Sequence, residues 1–375
     1  MLFPYKPVPH AMESMHKFVD FVFREVWCKA PELEYSIELY RSNQSLFDIM
    51  SELARQDLAD KLAENGAASF FYTHVNAIFN EFKRLSRDEI AVYLAHFDQN
   101  NDLTALCELS EGSAPVRYGE LDSSKPELNK KIESFFSKLY SSGFFDLALV
   151  KQRVGSTIGE YYRSFVARGN SNDLDVCPFC GILPIDGEYD PTRDAFDHYL
   201  PKSKYPFNSV NLRNLCPSCS KCNSDNKRTQ DPIHDRDGNR RKAFYPFREN
   251  EPDIQCKVLV KTKNWRQLRD ADIEVKFESA TQSVETATWQ ELYRIPERYA
   301  AKCCSQNGGL NWLKRVIDES HNYEKTPQEM FVAEMKSATN SPWVDCNFLK
   351  KSFLQGCDEM GLFCEQRARD TSGTT

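Results

Sequence analysis

The chain is decided by the stretch Phe196-Asp197-His198-Tyr199-Leu200-Pro201-Lys202-Ser203-Lys204-Tyr205-Pro206, which lies between two Cys-x2-Cys knuckles, Cys177-Pro-Phe-Cys180 and Cys219-Ser-Lys-Cys222. From Cys177 to about Phe247 long apolar periods are few and Pro, Asn, Asp and Gly are many, so this segment cannot assemble an ordinary large core. Something other than apolar packing must staple it. Two knuckles can offer four thiolates to one tetrahedral Zn²⁺ with sulfur at about 2.3 Å, because the two-residue gap lets both sulfurs of a knuckle turn toward one point. Zinc binding is worth on the order of 10 kcal/mol at neutral pH in zinc-finger peptides, ample to order a segment poor in hydrophobic residues. A structural Zn²⁺ on Cys177, Cys180, Cys219 and Cys222 is therefore expected. Cys216 forms an overlapping Cys-x2-Cys with Cys219, so Cys216 and Cys219 are the alternative second pair.

On the N-terminal side, from about Glu13 to Arg168, apolar residues recur every three or four positions, as in Met15, Phe18, Val19, Val22 and Val26. That is the rhythm of amphipathic helices. It returns in Leu46 to Leu62, Phe70 to Leu85 and Ile132 to Leu149, with Gly, Ser and Asn-Asp breaks, and predicts five or six helices. Gly169 to Asp175 has the composition of a linker. On the C-terminal side, Ile254 to Thr262 and Asp272 to Ser279 alternate apolar and polar residues, which predicts two strands. Helical spacing follows in Trp289 to Cys303, Leu310 to Ser320, Pro327 to Ser337 and Asn347 to Met360, and the tail from Ala368 to Thr375 is small, polar and expected to fray. The expected fold is mainly α with a small α+β insert: a helical region over 1–168, the knuckle module over 169–248, and two strands then helices over 249–375.

With 375 residues, the chain exceeds the roughly 150 typical of one domain. A hydrophobic share of 41% with 27% charged residues excludes wholesale disorder and collagen-like repeats. No run approaches the ~18 uninterrupted apolar residues of a membrane span, and Met1 to His10 carries prolines where a signal peptide has its apolar stretch. The reading is a cytoplasmic protein without a membrane partner. The eight cysteines outside the cluster of five are scattered, as small buried side chains in a reducing compartment are. The formal charge is -7, which argues against a surface that coats nucleic acid all over. From Arg193 to Arg248, however, twelve Lys and Arg stand against six Asp, a basic island suited to gripping phosphates locally.

Asp197-His198-Tyr199-Leu200-Pro201-Lys202-Ser203-Lys204-Tyr205-Pro206, then Asn211-Leu212-Arg213-Asn214-Leu215, then Cys219-Ser-Lys-Cys222-Asn223 and Lys227, together resemble the HNH endonuclease family. The resemblance covers about Cys177 to Phe247, roughly a fifth of the chain, and neither flank shares it. It implies a ββα-metal nuclease module with Asp-His on the first strand, Asn-Leu near the second, and the second knuckle with its following Asn and Lys on the helix. His198, with an ordinary pKa of about 6.5, is suited to take a proton from the attacking water as general base. Asp197 points to the other face of the strand, where its carboxylate can hold a hard cation, Mg²⁺ or Mn²⁺. Asn223, directly after the last zinc cysteine, completes that Mg²⁺ site by family resemblance. Lys227 is four residues further, on the same helical face, where its ammonium could meet a phosphate. If Cys219 and Cys222 bind the zinc, Asn214 matches the family's central Asn and pins the loop between the strands. If Cys216 and Cys219 do, the offset selects Asn211 and places Ser220, a poor ligand, after the second cysteine, which argues for the first register.

The function this implies is metal-dependent hydrolysis of phosphodiester bonds in nucleic acid, with DNA the leading substrate. RNA, including transfer RNA, is the alternative, and a non-catalytic zinc module that binds nucleic acid is a third reading. The Tyr-Leu-Pro-Lys-Ser-Lys-Tyr-Pro run further resembles nucleases of prokaryotic anti-phage defence systems of the Septu type, which implies an ATPase as protein partner. His234 reads as a solvent-facing loop residue. His16, His74, His96 and His321 stand alone, and Phe70-Phe71-Tyr72 and Tyr161-Tyr162 read as packing.

Overall fold

The computed structural model describes residues 1–60, 67–167 and 176–363. The expected linker and tail, with Cys364, lie outside them. The fold is mainly helical with two small antiparallel sheets. Its N-terminal part is built from α1 (Ser14–Phe21), α2 (Gln44–Asp60), α3 (Ala67–Phe82), α4 (Arg87–Asn101), α5 (Leu103–Glu108), α6 (Pro126–Leu139), α7 (Ala148–Val154) and α8 (Ile158–Val166). The expected helix over Ile132 to Leu149 is two, because Gly143 adopts φ +79, a left-handed turn that favours glycine. The rhythm also missed α4. That helix starts at a capping box, in which Ser86 accepts from the Glu89 amide and the Glu89 carboxylate accepts from the Ser86 amide.

These helices close over aromatic residues. Trp27 packs against Phe82, Phe135 and Phe136 at ring separations of 5.9, 5.7 and 6.3 Å, and its indole N–H donates to the Val75 carbonyl at 3.0 Å. Phe207, from the cysteine-rich segment, inserts into the same cluster, 5.4 Å from Phe23, 5.7 Å from Phe97 and 5.1 Å from Phe136. Its backbone sits at φ +81, a conformation costing a side-chain-bearing residue about 1–3 kcal/mol, which this burial offsets. The end of α4 is tied to the same loop. Asn100 donates to the Pro206 carbonyl at 3.1 Å, its own carbonyl accepts from Asn208 at 3.0 Å, and Asn101 accepts from Asn211 at 3.0 Å.

The first sheet pairs β1 (Phe196–His198) with β2 (Leu215–Pro217), setting Asp197 opposite Cys216 and His198 opposite Leu215. A widened helical turn, Lys221–Lys227, follows. The second sheet pairs β3 (Gln255–Val260) with β4 (Ile273–Glu278) over six residues each. It is covered by α10 (Ile295–Cys303) and α13 (Asn347–Glu359), which with α9 (Ser283–Tyr293), α11 (Gly309–Ile317) and α12 (Pro327–Asn340) form the C-terminal part. The helix expected over Trp289 to Cys303 breaks at Arg294, φ +50, before Pro296 opens α10. At Gly356, α13 crosses β3 so closely that a Cβ would lie 2.1 Å from the Val258 carbonyl oxygen. One continuous apolar core joins the N-terminal helices, the cysteine-rich segment and the C-terminal helices. No helix among the described residues is long and apolar enough to cross a membrane.

Candidate metal centre and active site

The sulfurs of Cys177, Cys180, Cys219 and Cys222 are buried and all lie within 4.8 Å of one another, with Cys180 and Cys219 3.9 Å apart. A tetrahedron with arms of about 2.3 Å has edges of about 3.8 Å, so this group can hold a zinc ion. Each knuckle is a tight turn closed on its first cysteine: Cys180 and Gly181 amides donate to the Cys177 carbonyl, and Cys222 and Asn223 amides to the Cys219 carbonyl. Gly181 provides φ +61 there. Cys216 stands apart on β2, where burial first, and then the Asp197 charge, push its thiol pKa well up. It behaves as a small apolar residue.

The C-terminal helices clasp this centre. Trp289 donates to the Phe179 carbonyl at 2.6 Å, Tyr299 to the Cys180 carbonyl at 2.8 Å, and Arg298 to the Cys222 sulfur at 3.3 Å. The N-terminal strap adds the Leu2 amide on the Pro178 carbonyl at 2.9 Å and the Tyr5 hydroxyl on the Pro217 carbonyl. None of these partners has a local sequence signal, because each meets the knuckles only through the tertiary fold.

His198 and Asn214 converge on the loop between β1 and β2. His198 Nε2 meets the Ser209 carbonyl at 2.9 Å. A carbonyl only accepts, so Nε2 carries the proton and Nδ1, which has no hydrogen-bond partner among the described residues, presents its lone pair. Burial holds the imidazole pKa down at about 3, opposed by the Ser209 carbonyl and assisted by the Lys202 and Lys227 charges, so the ring is neutral at neutral pH. Asn214 closes the loop by accepting from the Leu200 amide at 2.7 Å and donating to the Leu200 carbonyl at 3.0 Å.

Lys227 is where the arrangement departs from expectation. Its side chain is 0% exposed, and its ammonium donates to Asp197 Oδ1 and to the His198 carbonyl, each at 2.9 Å. The widened turn carries it inward beneath β1, so it braces the Asp-His strand instead of facing a phosphate. Burial raises the Asp197 pKa, and Lys227 pulls it only part of the way back. Asp197 Oδ2 is buried without a hydrogen-bond partner. Asn223 is partly exposed at the start of the same turn. By type, an orphaned carboxylate oxygen and an amide oxygen are hard donors of the kind Mg²⁺ takes.

Two further groups surround the site. His234 is buried, contrary to the solvent-facing position expected of it. Its Nδ1 is 2.8 Å from the Tyr205 hydroxyl, which donates to Asp231 Oδ2 at 2.6 Å, and Arg117 binds the same oxygen at 3.0 Å. Burial opposes ionisation of Asp231, but the bonds from His234 and Tyr205 and the Arg117 charge prevail and hold its pKa at about 2. Tyr140, just after α6, meets the His198 ring edge-on, with centroids 4.8 Å apart and planes at 89°. Burial pushes the Tyr140 hydroxyl pKa up, and the Arg193 guanidinium beside it pulls it partly back. No protein-family model, curated protein or solved structure matches this chain.

Proposed function

We propose that the chain is a metal-dependent phosphodiesterase of the HNH type acting on nucleic acid, DNA in the first instance, with a structural zinc on its four clustered cysteines. The observation that carries the reading is the setting of His198: its Nε2 lies 2.9 Å from the Ser209 carbonyl, which leaves Nδ1 to accept, one residue from the orphaned Asp197 oxygen. The order strand, loop, strand, knuckle and helical turn also supports it.

In this scheme water attacks phosphorus in line while His198 Nδ1 takes its proton. The P–O3′ bond breaks with its electron pair going to the 3′-oxygen, which leaves as an alkoxide and takes a proton from solvent. The imidazole is a weak base as it stands, but an incoming phosphate places negative charge beside it and raises its proton affinity. Asp197 Oδ2 and Asn223 would hold the divalent cation, which when bound neutralises charge developing on the phosphate and the leaving oxygen. Lys227 favours the ionised form of the Asp197 carboxylate against burial and braces the strand through the His198 carbonyl, and Asn214 ties Leu200 to Asn208, the residue before Ser209. The defence-system resemblance supports a role as a nuclease effector partnered by an ATPase. One observation favours the rival reading of a non-catalytic nucleic-acid-binding module: the Lys227 ammonium already occupies one oxygen of Asp197.

His198→Ala decides between them. Assayed on plasmid DNA and transfer RNA with Mg²⁺, it is expected to lose about 10²–10⁴-fold of the cleavage rate while zinc content stays at the wild-type level and the melting temperature falls by only a few degrees, remaining well above the assay temperature. Equal cleavage by the variant removes His198 from the reaction.

A further inference from the structure

Tyr140 is the meeting point of two cations as well as the neighbour of His198. The Arg193 guanidinium lies at its hydroxyl, and the Lys202 ammonium lies over its ring, 5.9 Å from the centroid. Lys202 also donates to the Ser141 hydroxyl at 3.2 Å, and the Tyr118 hydroxyl donates to the Lys202 carbonyl at 3.3 Å, so the N-terminal helical region holds this lysine at two points. Arg193 donates to the Asp194 carbonyl at 3.2 Å and lies over the Phe196 ring.

Several cations here are neutralised: Lys131 by Glu81, Lys125 by Glu89, Lys221 by Asp225 and Arg117 by Asp231. Among the described residues neither Arg193 nor Lys202 has a carboxylate within ion-pairing distance. An unpaired cation is ordinarily a solvated surface group. Lys202 is only half solvated, since burial lowers its proton affinity, and a partly desolvated ammonium without a counter-ion gains from an anion.

We propose that the seam between the end of α6 and β1 is a grip for a phosphodiester backbone, in which Arg193 and Lys202, both seated on Tyr140, bind phosphates and set one beside His198. This rests on the nuclease reading for its location, and it gives the N-terminal helices a part in holding the substrate. The grip recognises phosphate and sugar-phosphate spacing, not base identity.

The test is binding without cleavage. Fluorescein-labelled duplex DNA, single-stranded DNA and RNA are titrated with the full chain in Mg²⁺-free buffer across a salt series and read by anisotropy. Arg193→Ala and Lys202→Ala are each expected to weaken binding about fivefold and to flatten the slope of log K against log salt by about one. Lys276→Ala, whose ammonium pairs with Glu274 on β4, is expected to bind as the wild type does. Wild-type affinity and slope in both seam variants would overturn the grip, and so would a wild type that binds none of the three probes at low salt. Cleavage with Mg²⁺ is measured separately: loss of slope in the variants without any wild-type cleavage would leave the grip standing and sink the nuclease reading.

Discussion

The N-terminal helices and the cysteine-rich segment solve the same problem by different means. Around Trp27, Phe82, Phe135 and Phe136 the helices exclude water with large rings that tolerate many orientations, and almost every contact is apolar. From Cys177 to Phe247 there is too little regular structure for that. Beside the share its buried side chains take in the common core, order there comes from four sulfurs, from the buried Lys227–Asp197 pair, from Asn214 bridging the loop, and from the Asp231–Tyr205–His234 cluster. Apolar packing degrades gradually when a part is removed. Buried polar groups and metal ligands do not, because each one left without its partner carries its full desolvation cost.

The largest effect that contrast predicts is metal removal. A strong chelator is expected to withdraw stabilisation on the order of 10 kcal/mol from the knuckles, so that hydrogen-exchange protection collapses over 177–247 while α3 and α6 keep theirs. Equal loss in both regions would break the comparison. Next comes Lys227→Met, which strands Asp197 in a buried site and is expected to cost about 3–5 kcal/mol in chemical denaturation. Adding Asp197→Asn to it should recover much of that, and an additive double variant would show that the two side chains are not coupled.

A smaller effect is set by pH. The Asp231 carboxyl falls from its ordinary 3.8 to about 2 in the folded protein, so its contribution of about 2 kcal/mol is complete above pH 4 and disappears as pH falls toward 2. Asp231→Asn should lower stability at neutral pH by that amount and flatten the acid limb of the denaturation curve between those values. An unchanged acid limb would remove the cluster from the ledger of the segment. The smallest effect belongs to the helices: Thr157 caps α8 through the Glu160 amide at 3.2 Å, and Thr157→Ala is expected to cost about 1 kcal/mol by thermal melting. A larger loss there would blur the distinction between the two regions.

The same division explains what the sequence made legible. Helical spacing predicts the α3, α11 and α13 segments, and alternation predicts β3 and β4, because period is a property of neighbours along the chain. Breaks at Gly143 and Arg294 were not apparent, since one left-handed residue interrupts a helix without disturbing its hydrophobic rhythm. In the site, the two-residue gap identifies the knuckles but leaves Cys216 and Cys222 as rival partners of Cys219, and the fold brings Cys222 into the cluster. Tyr140, Arg298 and Asp231 could not be read in advance: each reaches its partner across the fold, from an element whose local pattern gives no hint of the encounter. Lys227 shows the limit of helical-face reasoning, because the widened turn alters which residues share a side.

Phe207 ties these observations together. Two residues beyond it, Ser209 supplies the carbonyl that fixes which nitrogen of His198 is protonated, and Phe207 itself is lodged among Phe23, Phe97 and Phe136. Seating Phe207 in that cluster fixes where the Ser209 carbonyl meets the imidazole. The aromatic cluster of the N-terminal helices therefore shares in holding the orientation of an imidazole that none of its rings touches.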